Sequence, residues 1–225
     1  MTPEIAILFA LAVPLLGSGA ILLFGRHPNL REAATLVTAG ILFLIVAGTI
    51  YPAVSGGGQP AITILEALPG LNIAFLVEPL GMLFALIASF LWIVTSIYSI
   101  GYMRGHHEEN QTRFYFFFAI AIFSAIGIAF AANMFTLFIF YEVLTISTFP
   151  LVTHAGSEKA KRAGRTYLGI LLGTSIGFQL LAVIWTWTVA GTLDFRIGGI
   201  LDGKVSATVM AFCSPSTFSA SARRP

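Results

Sequence analysis

Inside a long apolar run, one side chain stands out as able to do chemistry: Glu142, near the middle of the stretch NMFTLFIFYEVLTISTFPLV, residues 133–152. An ionisable group at mid-membrane depth costs about 3 kcal/mol even on the forgiving insertion scales. Such a group usually faces a protein interior or a wet cavity, has a partner, and lies on an ion or proton path. Burial disfavours a charged carboxylate and a neighbouring cation favours it. A buried Glu beside a Lys is therefore a tunable proton store. The competing reading is structural: an ion pair, or a hydrogen bond from Thr145 or Ser147.

Thr145, Ser147, Thr148 and Thr153 fill the interval between Glu142 and His154. They either hold ordered water as a hydroxyl path or bond back to their own helix. His154, at the end of the run, has the side chain best suited to pass protons near neutral pH; the alternative is a solvated loop histidine. Pro150 either frees a backbone carbonyl or marks the end of the helix. His106 and His107 beside Glu108 and Glu109 have metal-ligand chemistry, but neighbours on one flexible loop cannot converge without further ligands. Glu78 is a mouth or packing charge. Gly56, Gly57 and Gly58 lack the Lys-Ser/Thr and helix start of a phosphate cradle, and read as plain loop.

The elements that must position these groups follow from composition. Of 225 residues, 57% are hydrophobic and only 10% charged, against about a quarter charged in a soluble domain; mean hydropathy is +0.90. Crossing about 30 Å of hydrocarbon takes about 20 helical residues. Six segments qualify: 5–24, 33–54, 80–102, 114–132, 134–152 and 167–190. Only Asn133 separates the fourth from the fifth, and the break is argued from length, since 114–152 is about twice one crossing. The first segment is too long for a signal peptide and has Glu4 rather than a basic residue ahead of it, so it is expected to be a retained helix. Residues 55–79, with Pro60, Pro69 and Gly70, read as a loop. The fold class is all-α: a polytopic membrane helix bundle of about six spans, with the start of a truncated seventh over 205–212.

Loop charges give the orientation. Arg26 and Arg31 follow the first span, Arg104 and Arg113 the third, and Lys159, Lys161, Arg162 and Arg165 the fifth; the alternate loops hold only Arg196 and Lys204. Cytoplasmic loops collect Lys and Arg, so the N-terminus is expected outside a cell inner (plasma) membrane. The net charge of +2 is thereby explained by topology, and no nucleic-acid partner is expected. The single cysteine, Cys213, excludes a disulfide framework. With no iron–sulfur cysteines and no flavin or dinucleotide fingerprint, no cofactor is expected, and this chain is not expected to carry out NADH chemistry itself.

Three stretches carry a family resemblance: LWIVTSIYSIGYM, NMFTLFIFYEVLTISTFPLV and KAKRAGRTYL. They resemble the amino-terminal half of the proton-translocating membrane subunits shared by Mrp-type sodium/proton antiporters, respiratory complex I and membrane-bound hydrogenases. Among these they are most similar to the D-type component of the Mrp antiporters. The resemblance puts Glu142 on that family's helix-five glutamate, which pairs with a lysine on a broken helix seven. It implies about fourteen helices in two inverted repeats and a charged axis along the membrane middle. It implies as partners protons, monovalent cations, the lipid bilayer and the other membrane subunits of a hetero-oligomeric antiporter or respiratory complex. The organisation expected is helices one to three over residues 1–113, the start of the proton-translocating domain over 114–212, and a separate tail over 213–225.

That tail, CSPSTFSASARRP, departs from the family, because no helix-seven lysine motif follows residue 212. Back-translated together with a stop codon, with TC-type serine codons and an AG-type codon for Arg223, and read two bases later, it can spell L-P-F-Y-V-F-G-I-G-K-A-A-L. The lysine arises across Ala222 and Arg223. The expectation is a frameshift near Phe212 in a longer subunit. Three functions are then open: an ion-translocating subunit of a monovalent cation/proton antiporter with Glu142 as the proton-transfer group, a proton-pumping subunit of an NADH-quinone oxidoreductase or hydrogenase complex, and an inactive truncated fragment.

Overall fold

A computed structural model describes residues 2–196 and 199–201; the expected seventh-helix start and the tail lie outside the described residues. Among the described residues, six helices are long and apolar enough to cross a membrane: α1 Pro3–Leu23, α2 Pro28–Ser55, α3 Pro79–Gly105, α4 Gln111–Ala129, α5 Met134–Val152 and α6 Glu158–Ala190. The shortest, 19 residues, spans about 28 Å, enough for the hydrocarbon layer. The all-α membrane bundle expected from hydropathy is therefore the fold.

Several helices begin earlier than their apolar residues. Pro28 occupies the first turn of α2, where a fixed φ and a missing N–H carry no penalty. The polar residues that follow, up to Glu32, are helical too. α6 starts at Glu158 instead of 167 because Ser157 caps it, its Oγ accepting from Ala160 N at 3.1 Å. α4 stops at Ala129 instead of 132 because Ala131 leaves the helix to form a β-bridge with Phe75. α2 and α6 each contain one π-helical stretch, Val46–Ile50 and Ser175–Leu180.

The connection between α2 and α3 corrects the loop reading. Residues 55–79 contain an antiparallel hairpin, β1 Ala61–Leu68 and β2 Leu71–Leu76, running in register from Ala61↔Leu76 to Leu68↔Leu71 with irregularities after Thr63 and Glu66. Pro69 and Gly70 are its turn, with Gly70 at φ +76°, the Pro–Gly pair a type II turn prefers. The same punctuation that signals a loop signals a hairpin when apolar residues flank it on both sides.

The hairpin lies at the opposite end of the bundle from the basic loops. There β2 is extended by two further pieces of chain: Ala132 N donates to Ala74 O at 3.0 Å, Leu76 N to Phe130 O at 2.8 Å, and Phe195 N to Ala132 O at 3.2 Å. Trp187 Nε1 donates to Pro69 O at 3.3 Å, tying α6 to the turn.

The main core cluster is built mainly by α1 to α4, around Trp92, Tyr115, Ile126 and Phe130, and a smaller one joins Phe138, Val183 and Leu193. α4 packs along both α1 and α5, whereas α6 packs mainly on α5. Glycines set the closest approaches. A Cβ at Gly127 would fall 2.0 Å from the Phe140 ring, and one at Gly17 would fall 2.3 Å from Thr38. Outward, leucines and phenylalanines are bare: Leu16 is 72% exposed, Leu23 82% and Phe178 76%. Such bare residues occur on α1, α2, α3, α5 and α6, as a lipid solvent allows.

Candidate functional site

Glu142 is positioned by the start of α5. Asn133 caps that helix, its Oδ1 accepting from Thr136 N at 2.8 Å. Its Nδ2 donates to Asn72 O at 3.0 Å, and Thr136 Oγ1 accepts from Ala74 N at 3.0 Å. The hairpin therefore holds both the height and the rotation of α5. Nine residues further on, about 13 Å along the axis, comes Glu142. Phe140 anchors the helix between, against Phe75 at 5.5 Å and Phe123 at 5.2 Å.

The Glu142 side chain is half-buried, and its Oε1 is fully enclosed with no hydrogen-bond partner among the described residues. Phe138 and Thr145 lie four residues before and three after it, on the same helix face. Phe138 packs with Val183 of α6, so that face looks toward α6. An enclosed carboxylate oxygen without a partner is costly, more so than a structural role requires.

The hydroxyls resolve the alternative left open above. Thr145 Oγ1 donates to Tyr141 O at 2.9 Å, Ser147 Oγ to Leu144 O at 2.9 Å, Thr148 Oγ1 to Thr145 O at 2.9 Å and Thr153 Oγ1 to Phe149 O at 2.9 Å. Each hydrogen is engaged with its own helix, so none reaches Glu142; the hydroxyls keep only lone pairs to offer.

His154 lies 12 residues beyond Glu142, about 18 Å along the axis, so the two do not touch. It is not a solvated loop residue, because its side chain is only 15% exposed. Its Nε2 is 4.0 Å from Glu108 Oε2, its ring meets Phe114 edge-on at 5.5 Å, and Arg113 Nη2 donates to its backbone carbonyl at 3.4 Å. Neither ring nitrogen has a hydrogen-bond partner among the described residues. His106 stacks on Tyr102 at 4.2 Å. Glu78 precedes α3 and lines an apolar pocket of about 390 Å³ with Leu80, Phe84 and Leu137.

Sequence reasoning missed an ionic network at the basic end. Arg31 and Glu32, treated above as one topology signal and one silent residue, are each only 5% exposed. Arg104 grips Glu32 with Nε at 3.0 Å from Oε1 and with Nη2 on Oε2. Arg31 donates to Gln111 Oε1 at 2.7 Å and Thr112 Oγ1 at 3.1 Å, sits 3.5 Å from Glu32, and stacks over the Tyr115 ring at 5.4 Å. Thr112 in turn donates to Gly25 O at 3.2 Å. Four helix ends are thus locked together. The available signal was the Arg31-Glu32 pair, three and four residues after Pro28 at a span boundary.

The likenesses to known proteins fit this geometry. Residues 69–115 match the family model described as "NADH-Ubiquinone oxidoreductase (complex I), chain 5 N-terminus"; the matched region runs from the hairpin turn through α3 and stops before α5. The D component of the Na(+)/H(+) antiporter of Alkalihalophilus pseudofirmus is 22% identical over 206 residues, 90% of this chain and 40% of that one. A putative antiporter subunit, mnhA2, of Staphylococcus saprophyticus is 29% identical over 136 residues, 59% of this chain and 16% of that one. In fold, a chain of the membrane-bound sulfane sulfur reductase, an archaeal respiratory membrane complex, superposes with a TM-score of 0.74 at 20% identity, covering 85% of this chain and 38% of that one. The resemblance read from the three stretches is borne out. This chain spans two fifths or less of each of these relatives.

Proposed function

We propose that this sequence is part of an ion-translocating membrane subunit of a monovalent cation/proton antiporter, with Glu142 as the group that takes up and releases the proton. One observation carries the reading: a carboxylate near the middle of a spanning helix has one oxygen enclosed and without a hydrogen-bond partner among the described residues. A carboxyl group at this depth can hold a proton or face a cation, and the two compete for the same oxygens. Coupling between cation and proton follows from that competition. Thr145 offers lone pairs to a water beside the carboxylate, and at the basic end His154 and Glu108 bring an imidazole and a carboxylate within 4.0 Å; their part in the path is secondary to Glu142. The relatives' printed names, antiporter components from two bacteria, support the exchange reaction.

A second reading has its own support, since the matching family model is that of a complex I chain and the fold match comes from a respiratory complex. There the same glutamate serves redox-driven pumping, with the redox groups on partner subunits. The two readings part on what copurifies: subunits bearing redox cofactors favour the second. In either, the basic end faces the cytoplasm of the plasma membrane and the N-terminus lies outside, as the segregation of Lys and Arg supports.

The site itself is tested by infrared difference spectroscopy on the chain in lipid vesicles, titrated with protons and then with sodium or potassium. A carboxylic-acid carbonyl band that responds to the titration and disappears in Glu142→Gln is the expected outcome. An unchanged band in that variant would remove Glu142 from the proposal. In a full-length protein containing this sequence, the same substitution is expected to abolish cation-dependent proton exchange while leaving insertion intact.

A further inference from the structure

The first turns of α6 carry Lys159, Arg162 and Arg165 around a concavity of about 570 Å³, with Glu158 and Thr166 completing its wall. The one carboxylate there is already engaged, because Lys161 Nζ donates to Glu158 Oε1 at 2.9 Å. Among the described residues, none of Lys159, Arg162 and Arg165 lies within ion-pair distance of a carboxylate. Thr166 Oγ1 gives its hydrogen to Arg162 O at 3.2 Å and so adds no donor. Three cations share one stretch of helix face, and the amide end of α6 adds positive potential to theirs. Glu158, which also feels Arg165, is the one carboxylate lining the concavity, and it leaves the cations in excess.

Height on the helix selects the kind of anion. The apolar part of α6 begins at Tyr167, directly after Thr166, so the cations sit at headgroup level with an aromatic residue at the boundary. Below Arg165, at steps of four residues, come Gly169, Gly173 and Gly177, and a Cβ at any of them would meet nothing within 4 Å among the described residues. Steps of four follow one side of a helix. A shallow groove therefore descends from the basic concavity into the hydrocarbon layer, on a helix that the rest of the described chain covers little: only 11% of its apolar window is buried.

We propose that this face of α6 binds an anionic phospholipid, its phosphate held by Lys159, Arg162 and Arg165 and one acyl chain lying along the glycine groove. A soluble phosphate would satisfy the cations but would leave the groove unexplained. The proposal is independent of the proton chemistry at Glu142.

The test is native mass spectrometry of the intact chain released from detergent, titrated with phosphatidylglycerol, phosphatidylcholine and inorganic phosphate. Phosphatidylglycerol is expected to bind at least about tenfold more tightly than phosphatidylcholine, and each neutralised cation is expected to cost about fivefold. The triple variant K159Q/R162Q/R165Q should lose the preference, whereas K161Q, outside the concavity, should keep it. The charge-preserving variant R162K/R165K guards against a folding artefact and should remain within about threefold of the parent. Gly173→Leu, which fills the groove, should weaken both lipids alike. Equal binding of the two lipids by the parent chain would overturn the proposal. So would an undiminished preference in the triple variant, or displacement of phosphatidylglycerol by equimolar inorganic phosphate. Tighter binding of both lipids in Gly173→Leu would overturn the groove and, with it, the acyl-chain half of the proposal.

Discussion

At the scale of single residues, the two carboxylates Glu142 and Glu32 show opposite solutions to burial. Glu32 is surrounded by guanidinium groups, with Arg104 gripping both its oxygens and Arg31 alongside. Glu142 has one enclosed oxygen and no partner among the described residues. A structural carboxylate looks like the first, which is why the second reads as chemical. Removing Glu32 should therefore be a stability lesion. Glu32→Ala leaves the buried Arg31 without its carboxylate and is expected to cost about 3 kcal/mol, read as a lower midpoint in denaturing detergent. The exposed Lys161–Glu158 pair is the control, and Lys161→Ala should leave that midpoint where it was. A midpoint for Glu32→Ala equal to that of the parent would show the network to be ornamental. The position of Glu142 was legible in the sequence because a charge in an apolar run needs no tertiary knowledge to be noticed. The Arg31–Glu32–Arg104 network was not, because its members come from two helices 72 residues apart in the chain and each alone looks like a boundary charge.

At the scale of elements, hydropathy located all six helices but not their ends. Tyr167 and Ala33 are where the apolar runs begin, yet α6 and α2 begin at Glu158 and Pro28, because capping and charge pairing extend helices into water where hydropathy is silent. The hairpin was missed for a different reason. β1 is exposed along most of its length and so shows no buried alternation, and β2 is extended by pairing with Phe130 and Ala132, which no local pattern announces. Asn133 is the joint between these elements, at once helix cap and ligand of the Asn72 carbonyl. Asn133→Ala is expected to cost about 1–2 kcal/mol through the lost cap and the unpaired carbonyl, and Asn133→Ser to recover the cap alone. Thermal unfolding followed by circular dichroism would order the three as parent, Ser, Ala; Ser falling below Ala would mean that Asn133 does not act as a cap.

At the scale of the whole molecule, charge separates the two ends of the bundle. Arg26, Arg31, Arg104, Arg113, Lys159, Lys161, Arg162 and Arg165 gather at one end, while the hairpin end of the described chain holds Arg196, which lies 3.9 Å from Asp194. In intact cells, a cysteine introduced at Gly57 should react with an impermeant thiol reagent, and one at Gly156 should react only after the membrane is permeabilised. The reverse pattern would invert the orientation proposed above. The weight of packing is also uneven, with α1 to α4 forming the core and α6 leaning on α5.

The ribbon at the hairpin end also imposes an order in time. Its pieces are made far apart during synthesis: β2 at 71–76, the paired linker at 130–132, and the segment at 193–195 that closes it through Phe195 N on Ala132 O and Met134 N on Leu193 O. A ribosome has delivered all six of these helices before the last piece exists. Until then the α4–α5 corner keeps one edge unpaired, and Gly70 waits for the backbone at Gly191 that will lie against it. The passage of α6 through the bilayer is thus the event that seals this end, and a nascent chain arrested before residue 190 should carry a corner still open to water.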